Sequence, residues 1–311
     1  MEIIKVRSVS KSFGNIKAVR DVSFSIEKGE IFGILGPNGA GKSTIVNILN
    51  TLIKPDKGDV IIDEVNDRGE GKTIKLIMGV VPQEIALYEE LTAYENMMFW
   101  GGLYNIPKPE LKANVRLTLE MVDLSNRKND RIKTFSGGMK RRINIACSLL
   151  HNPKVLVLDE PTVGVDPQNR NHIYELIERL NSEGMTIIYT THYLEEAERF
   201  CKTIAIMDVG RIVAQGTLEE LRGLVGGKDI VTIQLANMND ETISKIKSSD
   251  LLFGFDSNTN SLKVECDSIS NEISGIIGSV EKAGGVIEKI HTQRTNLESV
   301  FLKLTGKELR D

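Results

Sequence analysis

Apolar and polar residues alternate over 3–9 and again over 18–26, the two-residue period of half-buried strands. Gly14-Asn15 lies between them and supplies the turn, so the chain is expected to begin with an antiparallel pair. The pattern then changes. Ile31-Phe32-Gly33-Ile34-Leu35 is a continuous apolar run, as expected of a strand buried on both faces. A helix is predicted from Thr44 to Asn50, a turn at Lys54–Gly58 and a strand at Asp59–Ile62. Residues 63–75 are polar and contain glycine, and read as a surface connection. Met78–Val81 is a further buried strand, ending at Pro82-Gln83.

From Leu91 to about Leu124 the spacing is helical, with breaks at Pro107 and Pro109. A second helical run follows Ser136 and continues to Leu150. Strand-helix alternation then resumes. Val155–Leu158 is followed by the helix Asn169–Ser182, the strand Thr186–Thr190 and the helix Tyr193–Phe200. The strand Thr203–Asp208, a Gly210-Arg211 hairpin and the strand Ile212–Gln215 come next. A helix at Leu218–Gly223 is expected to start at a Thr217/Glu220 capping box.

Residues 223–228 read as a linker. Beyond it the pattern predicts a strand at Ile230–Leu235, a helix at Asp240–Lys247 and strands at Leu251–Phe255 and Ser261–Cys266, with a turn at 257–260 between the two strands. A helix at Ile269–Ala283, a strand at Val286–Thr292 and a last helix capped by Thr295 with Glu298 complete it. That order, β-α-β-β-α-β, is the ferredoxin-like one. The expected architecture is therefore α/β, in two parts. Residues 1–222 form the larger domain, with a helical insert at about 91–150, and residues 228–311 form a small α+β accessory domain.

Composition narrows the class of partner. The 311 residues include 39 Lys and Arg against 43 Asp and Glu, a formal net charge of −4 that argues against nucleic acid. The cluster Lys140-Arg141-Arg142 reads as one face of a helix. No apolar run is long enough to span a bilayer, and the N-terminus lacks a secretory apolar core, so a cytosolic protein is expected. Cys147, Cys201 and Cys266 are widely separated, and no histidine pair has metal-ligand spacing.

Chemistry concentrates in a few stretches. Gly36-Pro37-Asn38-Gly39-Ala40-Gly41-Lys42-Ser43-Thr44 fits the phosphate-loop pattern and stands between a predicted strand and helix. Its glycines let backbone N–H groups curl around phosphate oxygens, Lys42 reaches the β- and γ-phosphates, and Ser43 faces Mg²⁺. Asp159-Glu160 closes an aliphatic strand, where α/β sheets place their chemistry: Asp159 suits Mg²⁺ and Glu160 suits activation of a water. Ser136 is a natural N-cap, and Gly137 and Gly138 leave that helix start open to an anion. Gln83 stands at a strand end, His192 at another, and Phe13 offers either a core aromatic or a face for adenine.

Taken in order, the phosphate loop, Gln83, Ser136–Met139, Leu156–Glu160 with Asp166, and His192 resemble the nucleotide-binding subunit of ATP-binding cassette (ABC) transporters. The resemblance covers residues 1 to about 222. It implies a phosphate-loop cassette with an antiparallel flank and a helical subdomain. Phe13 then stacks on adenine, the loop holds ATP, and Ser43, Gln83 and Asp159 face Mg²⁺. Glu160 polarises the water, and His192 contacts the γ-phosphate. Ser136, Gly137 and Gly138 reach the ATP of a second subunit, and Asp166 belongs to a loop that contacts that subunit. Met139 and Val165 stand where the family often has Gln and Leu.

Phe135–Arg142, Leu149–Gln168 and Thr295–Phe301 are similar to ATPases of ABC-2-type exporters, such as daunorubicin-resistance ATPases. The implied partners are an integral-membrane permease and a second ATPase subunit, most simply another copy. The implied location is the cytoplasmic face of the membrane. A soluble ABC ATPase acting on ribosomes or DNA is the competing expectation.

Overall fold

The computed structural model describes residues 1–66, 71–226, 228–236, 253–256, 261–267, 269–293 and 296–306. The chain divides into two compact units, Met1–Leu218 and Glu219–Glu308.

The first unit is built on two sheets. β1 (Glu2–Phe13) and β2 (Ile16–Glu27) form the opening hairpin, with Phe13 opposite Ile16. β4 (Lys57–Ile62) pairs on the other side of β1, and β5 (Val65–Asn66) completes this antiparallel sheet. The main sheet has six strands in the order β10-β9-β3-β8-β7-β6. Its members are β3 (Ile31–Leu35), β6 (Met78–Val81), β7 (Val155–Asp159), β8 (Thr186–Thr191), β9 (Thr203–Asp208) and β10 (Arg211–Gly216). All neighbours pair in parallel except β10 with β9.

Both faces of this sheet are covered, which explains the unbroken apolar runs. One face sends Phe32, Ile34, Val157 and Ile188 into a core shared with the antiparallel sheet and with Ile45 and Ile48 of α1 (Lys42–Leu49). The other sends Ile31, Leu156, Leu158 and Tyr189 against the helices. These are α3 (Ala93–Gly102), α4 (Lys108–Met121), α5 (Gly137–Leu149), α6 (Pro167–Ser182) and α7 (Leu194–Phe200). Removing Phe32 or Ile34 would open a cavity between two layers at once.

Three expectations need correction. Residues 63–75 are not a plain connection: β5 lies there, and α2 spans Gly71–Ile77. Only Ile74 of that helix is buried, so its sequence has too little apolar periodicity to announce itself. Nor do Lys140, Arg141 and Arg142 act as one face of a helix, although all three lie on α5. Lys140 pairs with Glu89, while Arg141 and Arg142 are buried and donate to main-chain carbonyls. Finally, the last helix is capped by Asn296, whose side chain accepts from Ser299 N at 3.0 Å; Thr295 lies outside the described residues.

The boundary between the units falls after the first residue of α8 (Leu218–Leu224), although the sequence pattern grouped that helix with the larger domain. The sheet of the second unit has the order β12-β13-β11-β14, every pairing antiparallel. The strands are β11 (Asp229–Leu235), β12 (Phe253–Asp256), β13 (Ser261–Cys266) and β14 (Ile287–Gln293). α9 (Ile269–Lys282) packs Ile276 and Val280 against Val231, Ile233 and Val264, and α10 (Leu297–Thr305) follows β14. The helix expected at Asp240–Lys247 and the turn at 257–260 lie outside the described residues.

Candidate active site

β3 delivers the chain into the phosphate loop at Gly36. There the backbone has no room for a side chain: a Cβ on Gly36 would sit 2.4 Å from Met207 O, and one on Gly41 2.5 Å from Ala18 O. Gly39 and Gly41 have φ of 82° and 105°, in the left-handed region that glycine enters without strain. Ala40 N donates to Pro37 O, Gly210 N to Ala40 O, and Ile45 N to Gly41 O. The last of these starts α1 directly after Gly41, so Lys42, Ser43 and Thr44 occupy its first turn, two residues earlier than the periodicity predicts. The amide ends of that turn and the Lys42 charge make an anion site.

Glu160 is the point where the other elements meet. It follows the last residue of β7, is 6% exposed, and has φ of 47°, an uncommon conformation for a glutamate. Two contacts hold its backbone there: Glu160 N donates to Thr190 O at 3.1 Å and to Thr190 Oγ1 at 3.0 Å. Its carboxylate faces three side chains, one from the first turn of α1 and two from just past the ends of β6 and β8. Lys42 Nζ lies 3.2 Å from Oε1, His192 Nδ1 lies 3.2 Å from Oε1, and Gln83 Nε2 donates to Oε2 at 3.3 Å. The His192 contact is close without the alignment of a hydrogen bond, since Nδ1 has no hydrogen-bond partner. Lys42 Nζ also donates to the carbonyls of Gly36 at 2.8 Å and Pro37 at 3.3 Å.

Asp159 is buried beside Glu160 and accepts a hydrogen bond from Thr190 Oγ1. Burial, more than any other cause, raises its carboxyl above the usual range, and the neighbouring Glu160 adds to this; Thr190, Lys42 and Arg141 pull the other way. The Asp159 carboxylate, the Ser43 hydroxyl and the Gln83 amide oxygen are hard donors, a set whose chemistry fits a small divalent cation such as Mg²⁺.

Arg141 is a site residue that the sequence did not single out. Its guanidinium donates to Pro82 O at 2.6 Å and Gln83 O at 2.5 Å, and burial lowers its pKa. It pins the main chain that carries Gln83 to α5, the helix that Ser136 opens. Ser136 caps that helix by accepting from Met139 N at 3.3 Å, and Ser136 and Gly137 are exposed at its start. Gly138 plays a different part. It is buried, and a Cβ there would lie 2.2 Å from the Asn169 Cβ, so its lack of a side chain lets α5 approach α6. Asp166 caps α6, accepting from Asn169 N at 3.1 Å. Phe13 is 46% exposed, with Lys11 Nζ 5.7 Å from its ring centroid: it is a surface aromatic and not part of the core.

The structure therefore brings Lys42, Gln83, Asp159, Glu160 and His192 to one end of the parallel sheet. The ABC transporter family matches residues 19–163. Over 99% of this chain and 100% of its own length, the linearmycin resistance ATP-binding protein LnrL of Bacillus subtilis (strain 168) is 41% identical. The chain belongs to the ABC transporter family. The daunorubicin resistance ATP-binding protein DrrA3 of Streptomyces coeruleorubidus is 33% identical over 99% of this chain and 97% of its own. Among solved structures, the dimeric bacterial ABC transporter cassette MJ0796 superposes with a TM-score of 0.63 and 32% identity, covering 69% of this chain and 98% of that one. The protein is thus an ATP-binding and hydrolysing cassette subunit, and its hydrolysis powers transport by a separate membrane permease.

Proposed function

We propose that this subunit drives an ABC-2-type exporter, and that two copies close on ATP, each completing the other's site. The observation that carries the catalytic part is the carboxylate of Glu160 with Lys42, Gln83 and His192 all within 3.3 Å. In this reading the phosphate-loop amides and Lys42 bind the β- and γ-phosphates, and Phe13 stacks on adenine. Glu160 orients a water and draws off its proton as the water oxygen attacks the γ-phosphorus. The bond to the β–γ bridging oxygen breaks, and ADP and phosphate leave. His192 holds the γ-phosphate in line. Little covalent work falls to the protein, so positioning and charge neutralisation dominate.

Ser43, Gln83 and Asp159 would hold Mg²⁺, which neutralises charge building on the phosphates when bound. Ser136 and Gly137, exposed at the start of α5, present a helix N-terminus to the γ-phosphate of a second copy, with Gly138 keeping that helix in place against α6. Asp166 orders the turn that reaches the second copy.

The relatives are named for antibiotic resistance, which favours export over action on ribosomes or DNA. The subunit is expected at the cytoplasmic face of the membrane. Among the described residues no helix is long and apolar enough to cross a bilayer. A groove of about 550 Å³ lined by Asn50, Leu52, Val80, Leu103 and Tyr104 supports contact with a permease. It touches β6, the strand that leads to Gln83, and movement there would pass toward the phosphates.

For the second unit we propose a ferredoxin-like accessory domain. The strand order and the antiparallel pairings support this reading, which also needs a helix between β11 and β12.

Export has a direct test. Inside-out membrane vesicles carrying this chain and its permease are expected to accumulate the transported compound when given ATP and Mg²⁺. ATP-independent accumulation, or accumulation only in right-side-out vesicles, would overturn the proposal.

A further inference from the structure

Glu196 is a buried carboxylate that the hydrolytic mechanism does not use. It lies on α7, four residues after His192, and is 3% exposed. Four hydroxyls donate to it. Thr162 and Tyr174 bond Oε1, the latter at 2.8 Å, and Tyr189 at 3.0 Å and Thr191 at 2.8 Å bond Oε2. Among the described residues no Lys, Arg or His pairs with it; Arg199 lies beyond the Tyr174 ring, 4.7 Å from its centroid. Burial and the neighbouring carboxylate raise the Tyr174 and Tyr189 phenols, which keeps both as donors. An anion without a cation in such a place is costly unless every lone pair is used, and here two hydroxyls serve each oxygen.

The four donors are not equivalent. Thr162 stands two residues after Glu160, and the turn it belongs to leads to Asp166 through the bonds from Val163 N to Glu160 O and from Val165 N to Thr162 O. Thr191 immediately precedes His192, and its hydroxyl also accepts from Tyr193 N at 2.9 Å, bracketing the histidine. Tyr174 and Tyr189 anchor the same carboxylate to α6 and β8. The turn that carries Glu160 and the turn that carries His192 are thus tied to one carboxylate, and their functional side chains approach to 3.2 Å on the other side.

We infer that Glu196 is a positioning residue for ATP hydrolysis: its hydroxyl cluster fixes the Glu160–Asp166 turn relative to the Thr191–Tyr193 turn, so that Glu160 and His192 act on the γ-phosphate as one unit. This rests on the catalytic roles proposed above for Glu160 and His192. In Glu196→Gln an amide nitrogen replaces one acceptor oxygen, so two of the four hydroxyls lose their partner while the volume is kept.

The expected result is a fall in kcat of about tenfold or more with the ATP dissociation constant and KM within about twofold of wild type. A double-mutant cycle reads the route of the effect. Glu196→Gln added to His192→Ala should cost nothing further, because the cluster acts by setting His192 relative to Glu160 and that relation is already lost. Turnover of Glu196→Gln within twofold of wild type, or a double variant lower by the product of the single losses, would overturn the inference. Should Glu196→Gln not fold, Thr162→Val removes one bond at constant shape. It is expected to lower kcat several-fold at unchanged ATP affinity, and wild-type turnover in it would overturn the inference equally. Glu160→Gln assayed alongside separates the two readings. Inactive Glu160→Gln with fully active Glu196→Gln refutes only the positioning role, whereas active Glu160→Gln refutes the catalytic assignment beneath it.

Discussion

Glu160→Gln is expected to lose ATP turnover by about 10²- to 10⁴-fold, the range that general-base catalysis commonly supplies. The substitution keeps the length and volume of the side chain, but an amide cannot take a proton from water. Binding should survive. Glu160 is a buried negative charge beside the place proposed for the γ-phosphate, and neutralising it removes a repulsion. The ATP dissociation constant should therefore be equal to or smaller than that of the wild type, measured by titration calorimetry under conditions of negligible turnover. The left-handed backbone at φ 47° is borne equally by Gln and Glu, but Lys42 loses its buried counter-charge, so the melting temperature without nucleotide should fall. Turnover within tenfold of wild type would remove Glu160 from its role.

Lys42→Ala is the other large effect, and it has two parts that separate experimentally. The first is binding. Lys42 is 4% exposed and is the one phosphate-loop side chain with a charge, so its loss should weaken ATP binding by about 100-fold or more, some 2.8 kcal/mol at 1.4 kcal/mol per factor of ten. The second is stability. Removing one member of a buried ion pair leaves the other uncompensated, at a cost of about 3–5 kcal/mol. Glu160 would be so left, though its contacts with Gln83 and His192 soften the effect. The double variant Lys42→Ala/Glu160→Gln tells these apart. It should recover most of the melting temperature and none of the affinity for ATP. Recovery of neither would mean that the Lys42–Glu160 contact at 3.2 Å is not what Lys42→Ala breaks.

The fold was legible wherever an element's partner did not matter. The apolar run Ile31–Leu35, the glycines before Lys42 and the aliphatic strand ending in Asp159-Glu160 each carry their message within about ten residues. The same holds for the hairpin at Gly14-Asn15 and the N-cap at Ser136. The residues that escaped are those whose meaning is a distant contact. Arg141 looks like any helical cation until its guanidinium is seen on the carbonyls of Pro82 and Gln83, 59 and 58 residues away. Glu196 sits in the acidic-looking segment Leu194–Phe200, and nothing local shows that hydroxyls from Thr162 and Tyr174 converge on it. Periodicity states which face of a helix is buried, but not what meets it there. The Glu160 backbone conformation is invisible for a related reason: no propensity predicts a left-handed glutamate, and only the double bonding of its N–H to Thr190 maintains it.

Gly138 shows the two kinds of information in one motif. Its position beside Ser136 and Gly137 reads as openness to an anion, yet the Asn169 side chain fills the space where its own would be. Of the three residues, Ser136 and Gly137 face outward, so a partner's phosphate would meet these two, with Gly138 serving the packing of α5 on α6.

The central claim is that ATP is held between two copies of this chain, by the Lys42 loop of one and the Ser136 helix start of the other. Glu160→Gln, which binds ATP without consuming it, allows that claim to be measured at equilibrium. Sedimentation velocity of this variant should show a single copy without nucleotide and twice that mass with saturating ATP and Mg²⁺, and Ser136→Arg added to it should abolish the shift while leaving ATP bound. A variant that stays a single copy at saturating ATP, or a Ser136→Arg form that still doubles in mass, would contradict the account.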